Sequence, residues 1–466
     1  MHSRRLPVLG VKRIAIALAV WLSVTRVVIH AHTHSSDTGP GIPNPFDFAF
    51  PDHLCGSLRE TYMAINDRVR AACKDEAAAA AAAGTAAATS AGSSATAAPP
   101  SAAPPSASPA SPATPSAPPA AASSSPSQCR TLIFDSGHDG FGDTVFGLAS
   151  TFAVALLDDR AFLMRQEWLP YAFEPATFDW RVTEDIPLST YSPQIKDENN
   201  LPNASYARLS LYNKNVEPEE YFGKLKAIAH IGLVWNRGIL FNLLTKAKGA
   251  WAERFKAIGM TPPYAFACVM RFLLRPKPEV WQLMRDIAGQ VHVPHGFSIG
   301  IHSRVKDLKV WEHSTKDGVP KVLNAAEVEE LYEQNKLSFQ CAEELERWWS
   351  PSSLKIKWFF ICNSAQLKVA VRDKFPDKVV ITEFVPRHVA ISKDNTSHTA
   401  APSWYQETVA EWLLLASSDL LVIPESGFSR SAVMYSMRPG RVFMPQKCRP
   451  DAPVPVGDLA TVGCGV

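Results

Sequence analysis

Apolar positions along this chain recur in alternating short and long runs. Between residues 129 and 166 the run RTLIFDS, the polar stretch GHDGFGDT, the long run VFGLASTFAVALL and the run DDRAFLMRQ read as strand, turn, helix and strand. The rhythm returns after Val291. FSIGI is a strand, KIKWFFICNSAQLKVAVRDKF a strand and helix, and KVVITEF a strand. WYQETVAEWLLLASSDLLVIPESGFSRSAVMYSMRPGRVFMP then supplies helix, strand, polar turn, helix and strand. Alternation of this kind implies parallel sheets with helices on their faces. Two such units, far apart in sequence, predict an α/β protein of two Rossmann-like lobes facing a cleft. The first lobe is assigned to residues 129–290 and the second to 291–466. The segment joining them has helical spacing, with Pro276 and Pro278 marking a break and a restart.

Ahead of this body the pattern changes. Arg4, Arg5, Lys12 and Arg13 precede IAIALAVWLSVT, and apolar character resumes after Arg26. A basic flank followed by an apolar run is a targeting pattern. The uninterrupted run is shorter than the roughly 17 to 25 residues of a spanning helix, so an anchor requires Arg26 to snorkel. Residues 1–30 are therefore read as a cytoplasmic tail and signal anchor, with a cleaved signal peptide, an organellar targeting peptide or a non-targeting helix as alternatives. Residues 31–128 are expected to form a stem. Its Ala-, Pro- and Ser-rich part cannot build a core and is expected to be a disordered stalk, although its first alanines extend a helix begun around Leu58. This organisation predicts a single-pass type II protein of the Golgi membrane, or else a secreted or endoplasmic reticulum lumenal one.

The 466 residues are 46% hydrophobic, enough for more than one core. With 47 basic and 45 acidic residues, the chain carries no general excess of charge for a nucleic-acid partner. Its eight cysteines include no CxxC pair, so a zinc ribbon or thioredoxin-like site is unsupported. Cys129, Cys448 and Cys464 flank the body where staples can hold termini, and Cys55 or Cys73 can pair with another cysteine. Cys268 and Cys362, in apolar runs, are expected to be buried as small hydrophobes.

Candidate chemistry concentrates at strand ends. In SIGIHSRVKD, His302 and Arg304 share one face of an extended segment while Ser303 points away. The planar fork of Arg304 suits a diphosphate, and Asp307 can orient that fork or a substrate hydroxyl. Gly140 and Gly142 permit a backbone conformation and close approach that a side chain would obstruct, and the long helix that follows points its first amides at whatever occupies the turn. Asn363 and Ser364 leave the next strand. In the turn from Glu425 to Arg430, Gly427 allows a tight path, Ser426 and Ser429 can hold phosphate oxygens, and Arg430 can neutralise an anion. The aromatic stretch WLPYAFEPATFDW suits either an irregular packed loop or a wall that stacks on sugar rings. The glycine turn lacks GxGxxG spacing, and no convincing strand-end DxD element points to a metal-dependent transferase; Asp158-Asp159 lies at a helix end.

The segment from Asp139 to Leu163 resembles the GxGN-helix element of fucosyltransferases. IHSRVKD is similar to the HxRxxD phosphate-binding motif of the superfamily of α1,2-, α1,6- and protein O-fucosyltransferases, and DLLVIPESGFSRSAVMYSM to its late strand, serine turn and helix. The resemblance covers Cys129 to about Met444. It implies a GT-B fold and transfer of fucose from GDP-fucose to a glycan hydroxyl with inversion, without a cofactor or catalytic metal. Arg304 would contact the donor diphosphate, His302 would shape the same site, Ser429 would lie in the late phosphate turn, and Gly140 and Gly142 would face the cleft. Asp139 or Asp143 would face the acceptor, and Asp307 would orient. The chain departs from the pattern at Asp143, where asparagine is usual, and at Thr144 and Val305. A related transferase with another nucleotide-sugar donor and a non-catalytic glycan-binding protein of the same fold stay open. The implied partners are a nucleotide-sugar, a glycan acceptor and, through the N-terminal helix, a membrane.

Overall fold

Two all-parallel sheets carry the body. The computed structural model describes residues 52–91, 128–135, 140–182, 206–210, 218–234, 248–305, 322–349, 354–386 and 402–455, a few single positions within them excepted. In the first sheet β1 (Thr131–Asp135), β2 (Ala161–Arg165), β3 (Tyr206–Ser210) and β4 (His230–Val234) lie in the order β2-β1-β4-β3. In the second, β5 (Gly296–Ser303), β6 (Lys355–Cys362), β7 (Val379–Val380), β8 (Leu420–Val422) and β9 (Val442–Phe443) lie in the order β9-β8-β5-β6-β7. In the first order the chain crosses from the β2 side to the other side of the sheet at β1/β4, and the second order reverses direction at β5/β8. Open parallel sheets place their ligand crevice beyond the strand carboxyl ends at such a reversal. The expected two-lobed α/β architecture is present.

Helices cover both sheets because their strands are buried on both faces. α1 (Leu58–Ala91), α2 (Phe141–Leu157), α3 (Gly249–Ile258) and α4 (Ala265–Leu273) belong to the first lobe; α5 (Pro278–Val291), α6 (Ala325–Trp349), α7 (Ala365–Lys374), α8 (Pro402–Ser417) and α9 (Gly427–Ser436) follow. Every residue of α2 except Asp143 is buried. A helix apolar all round must be enclosed on all sides, and α2 is packed against β1, β2, α3, α4 and α9. It is thereby the axis of the first lobe and its contact with the second.

The helix expected from around Leu58 is present, and Tyr62, Ile65, Val69 and Cys73 form a buried helical stripe on it. The Tyr62 ring packs on Phe152, Phe178 and Phe272, and its hydroxyl oxygen accepts a hydrogen bond from the Phe162 amide. Disulfides Cys55–Cys268 and Cys73–Cys129 tie this segment to α4 and to the entry of β1. Within the expected stem, apolar residues at helical spacing thus gave this helix a face to bury, and the first alanines continue it to Ala91. Cys268 is corrected from buried thiol to disulfide partner. Cys341–Cys448 joins α6 to the segment after β9, while Cys362 is a free buried thiol pushed up to about 12 by burial. Among the described residues no helix is long and apolar enough to cross a membrane. The expected signal anchor at 1–30 lies outside them.

Asp158 and Asp159 close α2. Asp158 bonds Arg130 and the buried Arg160, whose guanidinium also donates to the carbonyls of Leu225, Ile228 and Ala229. Asp159 pairs with Arg254 of α3 and Arg68 of α1. These carboxylates fasten the first lobe.

Candidate functional site

β5 delivers His302 and Ser303 to the carboxyl edge of its sheet, at the strand-order reversal, in register with Ile361 and Cys362. The chain beyond is held from β6: the Asn363 side chain accepts from the Val305 amide at 2.8 Å and donates to the Val305 carbonyl at 2.9 Å. Between these anchors the Arg304 side chain is exposed to solvent. Ser364 is buried and caps α7, its hydroxyl accepting from the Leu367 amide at 3.3 Å. Asn363 and Ser364, the expected donor contacts, also complete the strand exit and the helix start, because amide and hydroxyl groups match backbone donors and acceptors left open there.

The two lobes meet through two helix N-termini. α2 starts after Gly140 and α9 after Ser426, and neither has a side-chain cap. A Cβ added to Gly142 would stand 2.2 Å from the Gly427 carbonyl carbon and 2.3 Å from the Phe428 nitrogen. Conversely, a Cβ on Gly427 would meet Asp143 Oδ1 at 3.0 Å. The glycine turn and the Glu425–Arg430 turn are therefore in direct contact. Both helix starts carry partial positive charge, so their junction favours an anion. The Asp143 carboxylate sits against the α9 start.

His302 lies at the same junction. Its ring packs on Phe428 with centroids 5.5 Å apart, and burial, with the Arg304 charge acting in the same sense, pulls its pKa down to about 3. The imidazole is neutral at neutral pH. Its Nδ1 is buried without a hydrogen-bond partner among the described residues, as are Thr144 Oγ1, Ser303 Oγ and Ser426 Oγ. Buried polar atoms are rarely left so, and these four belong to the two facing turns and the strand between them. Ser429 differs: its hydroxyl donates back to the Ser426 carbonyl at 3.4 Å. Arg430 is buried, with its guanidinium 4.0 Å from the Glu425 carboxylate. Asp139 and Asp307 lie outside the described residues. Among the described residues no group of three or more His, Cys, Asp or Glu side chains is placed to hold a metal ion.

Sequence reasoning missed the rings at this junction. Phe141 contacts Phe428, Trp168 and Trp412 at 5.8, 5.6 and 5.3 Å. Phe141 and Phe428 each stand inside a glycine turn, and an aromatic residue in such a turn was the available signal. Also missed was a buried ion pair at the β7 side of the crevice. Lys368 of α7 donates to Glu411 of α8, to the Thr382 hydroxyl at 2.8 Å and to the Phe384 carbonyl at 3.3 Å, and Thr382 donates to Glu411. Nothing in the local sequence marks these three as partners.

No protein-family model and no curated protein matches the chain. Among solved structures, it is similar to an Arabidopsis thaliana FUT1 mutant in complex with GDP: 16% identity, 68% of this chain and 70% of that one covered, TM-score 0.47. It is also similar to NodZ alpha-1,6-fucosyltransferase soaked with GDP-fucose: 17% identity, 66% and 92% covered, TM-score 0.39. A third is POFUT1 in complex with GDP: 14% identity, 68% and 98% covered, TM-score 0.33.

Proposed function

We propose that this chain is an inverting glycosyltransferase that moves fucose from GDP-fucose to a hydroxyl of a glycan or glycoprotein. The observation that carries the reading is the convergence of two uncapped helix starts on the His302–Arg304 strand exit, with four buried polar atoms lacking partners there. Such a junction suits a diphosphate. The GDP and fucose identities rest on the resemblance of IHSRVKD and DLLVIPESGFSRSAVMYSM to the fucosyltransferase motifs.

In this reaction the acceptor oxygen attacks the anomeric carbon opposite the nucleotide. The bond from that carbon to the diphosphate oxygen breaks, leaving its electron pair on GDP, and the acceptor proton passes to a carboxylate. Negative charge grows on the diphosphate as the bond breaks, so groups that fit it better late in the reaction lower the barrier. Arg304 and the amides at the α9 start take that role. Neutral His302 adds a polar edge without another charge. Asp139 or Asp143 is the carboxylate assigned to the acceptor proton and Asp307 the group that orients Arg304. Three disulfides among the described residues support an oxidising compartment, consistent with a Golgi enzyme anchored through residues 1–30.

The test is release of nucleotide from a donor panel by the full chain in chelator-containing buffer. Release of GDP from GDP-fucose, above that from GDP-mannose and UDP-galactose, supports the proposal. Release from UDP-galactose alone overturns the donor, and no release with any acceptor mixture overturns the activity.

A further inference from the structure

Ring contacts run without a break from the lobe junction to the surface. His302 meets Phe428, Phe428 meets Phe141 at 5.8 Å, and Phe141 meets Trp168 at 5.6 Å. Trp168 then stacks on Tyr405 at 5.5 Å with the ring planes 7° apart, and Tyr405 stacks on Tyr171 at 5.7 Å with the planes 22° apart. From Phe141 outward the rings become less buried: Phe141 is 4% exposed, Trp168 7% and Tyr171 41%.

Both lobes build the outer end. Trp168 and Tyr171 flank and occupy the single helical turn Leu169–Ala172 of the first lobe, while Tyr405 lies on α8 of the second. Gln406, next to Tyr405, donates to the Tyr171 carbonyl at 3.1 Å. The outermost ring is therefore held in place by a near-parallel stack and by a backbone bond, yet much of its surface faces water. A ring needed only for packing gains most by full burial. A fixed, partly exposed ring instead suits the apolar C–H face of a pyranose, with the phenol hydroxyl at the rim.

We propose that Tyr171, backed by Tyr405 and Trp168, is a stacking subsite for a pyranose unit of the acceptor glycan. The proposal rests on the transferase reading above, and it is carried by the continuity of the ring path with the donor side. Acceptor recognition is then shared by both lobes, and the acceptor approaches along the edge of the junction where Phe141 meets Phe428.

Saturation-transfer NMR tests this on the full chain, with and without saturating GDP. The probes are neutral β-linked oligosaccharides of glucose, galactose and N-acetylglucosamine. For at least one oligosaccharide, ring C–H protons of one unit should receive saturation in the parent protein and in Tyr171→Phe. In Tyr171→Ala its affinity should fall about tenfold, with GDP affinity and melting temperature unchanged. Equal saturation in Tyr171→Ala, or none from any probe, overturns the subsite. A joint fall in melting temperature and GDP affinity also overturns it, marking the stack as a lobe staple. Glycan saturation that depends on Tyr171 in a protein without GDP affinity would sink the donor reading and leave the subsite standing.

Discussion

Gly142 and Gly427 touch backbone to backbone across the two lobes, leaving no room for a methyl group on Gly142. In an isolated helix Gly→Ala is favourable by roughly 0.5–1 kcal/mol. Here all three nearest atoms are backbone, within 2.2–2.5 Å of the added Cβ, so the lobes must separate. Gly142→Ala should lower stability by about 1–3 kcal/mol and weaken GDP binding. Gly223, with nothing within 4 Å of an added Cβ, is the control whose alanine variant should melt no lower than the parent. Thermal unfolding of both variants distinguishes a tight junction from a loose one.

His302 makes stability depend on pH in a defined direction. Its folded pKa of about 3 lies below the ordinary imidazole value of 6.5. The unfolded chain therefore binds more protons between those values, and stability falls as pH drops from 6.5 toward 3. Above 6.5 the contribution is constant. Denaturant titrations of the parent and His302→Gln across that window should show a shallower loss in the variant. Equal slopes would show that other groups account for the acid sensitivity.

Lys368 is 1% exposed and depends on Glu411 and Thr382 for its neighbours. Lys368→Met leaves the Glu411 carboxylate in that site without its cation, and a loss of about 3–5 kcal/mol is expected. Adding Glu411→Leu should restore much of it. A double variant as unstable as the single would mean that volume, and not charge, governs the site.

Cys55–Cys268 spans 213 residues and Cys73–Cys129 spans 56. Both hold α1 to the first lobe. Cys55→Ser with Cys268→Ser should cost about 2–4 kcal/mol and raise protease access to the segment around α1. Unchanged proteolysis would show that the Tyr62 stripe alone retains it.

The strands and helices were legible because hydrophobic periodicity is a local property. The glycine turn and the Glu425–Arg430 turn were each legible as chemistry, since each combines a glycine with a helix start. What they do to each other was not: the Gly142–Gly427 contact lies between residues almost three hundred positions apart. The same limit hid Lys368–Glu411 and Cys55–Cys268, whose partners share no pattern. The Asn363–Val305 bonds were hidden because an asparagine at a strand exit looks alike whether it reaches for a ligand or for neighbouring backbone. The helix α1 was legible from its start around Leu58, whereas the packing of its stripe from Tyr62 to Cys73 was not, since the rings that receive Tyr62 lie about a hundred or more positions away.

The most direct measurement is calorimetric titration of the full chain with GDP, UDP and ADP in chelator-containing buffer, repeated on Arg304→Ala. Arg304 is exposed, so its removal should leave folding within about 0.5 kcal/mol of the parent. Selective binding of GDP, weakened about tenfold or more in Arg304→Ala, is the expected result. Selective UDP binding, no nucleotide binding by the folded chain, or GDP binding indifferent to Arg304 would contradict the donor site described above.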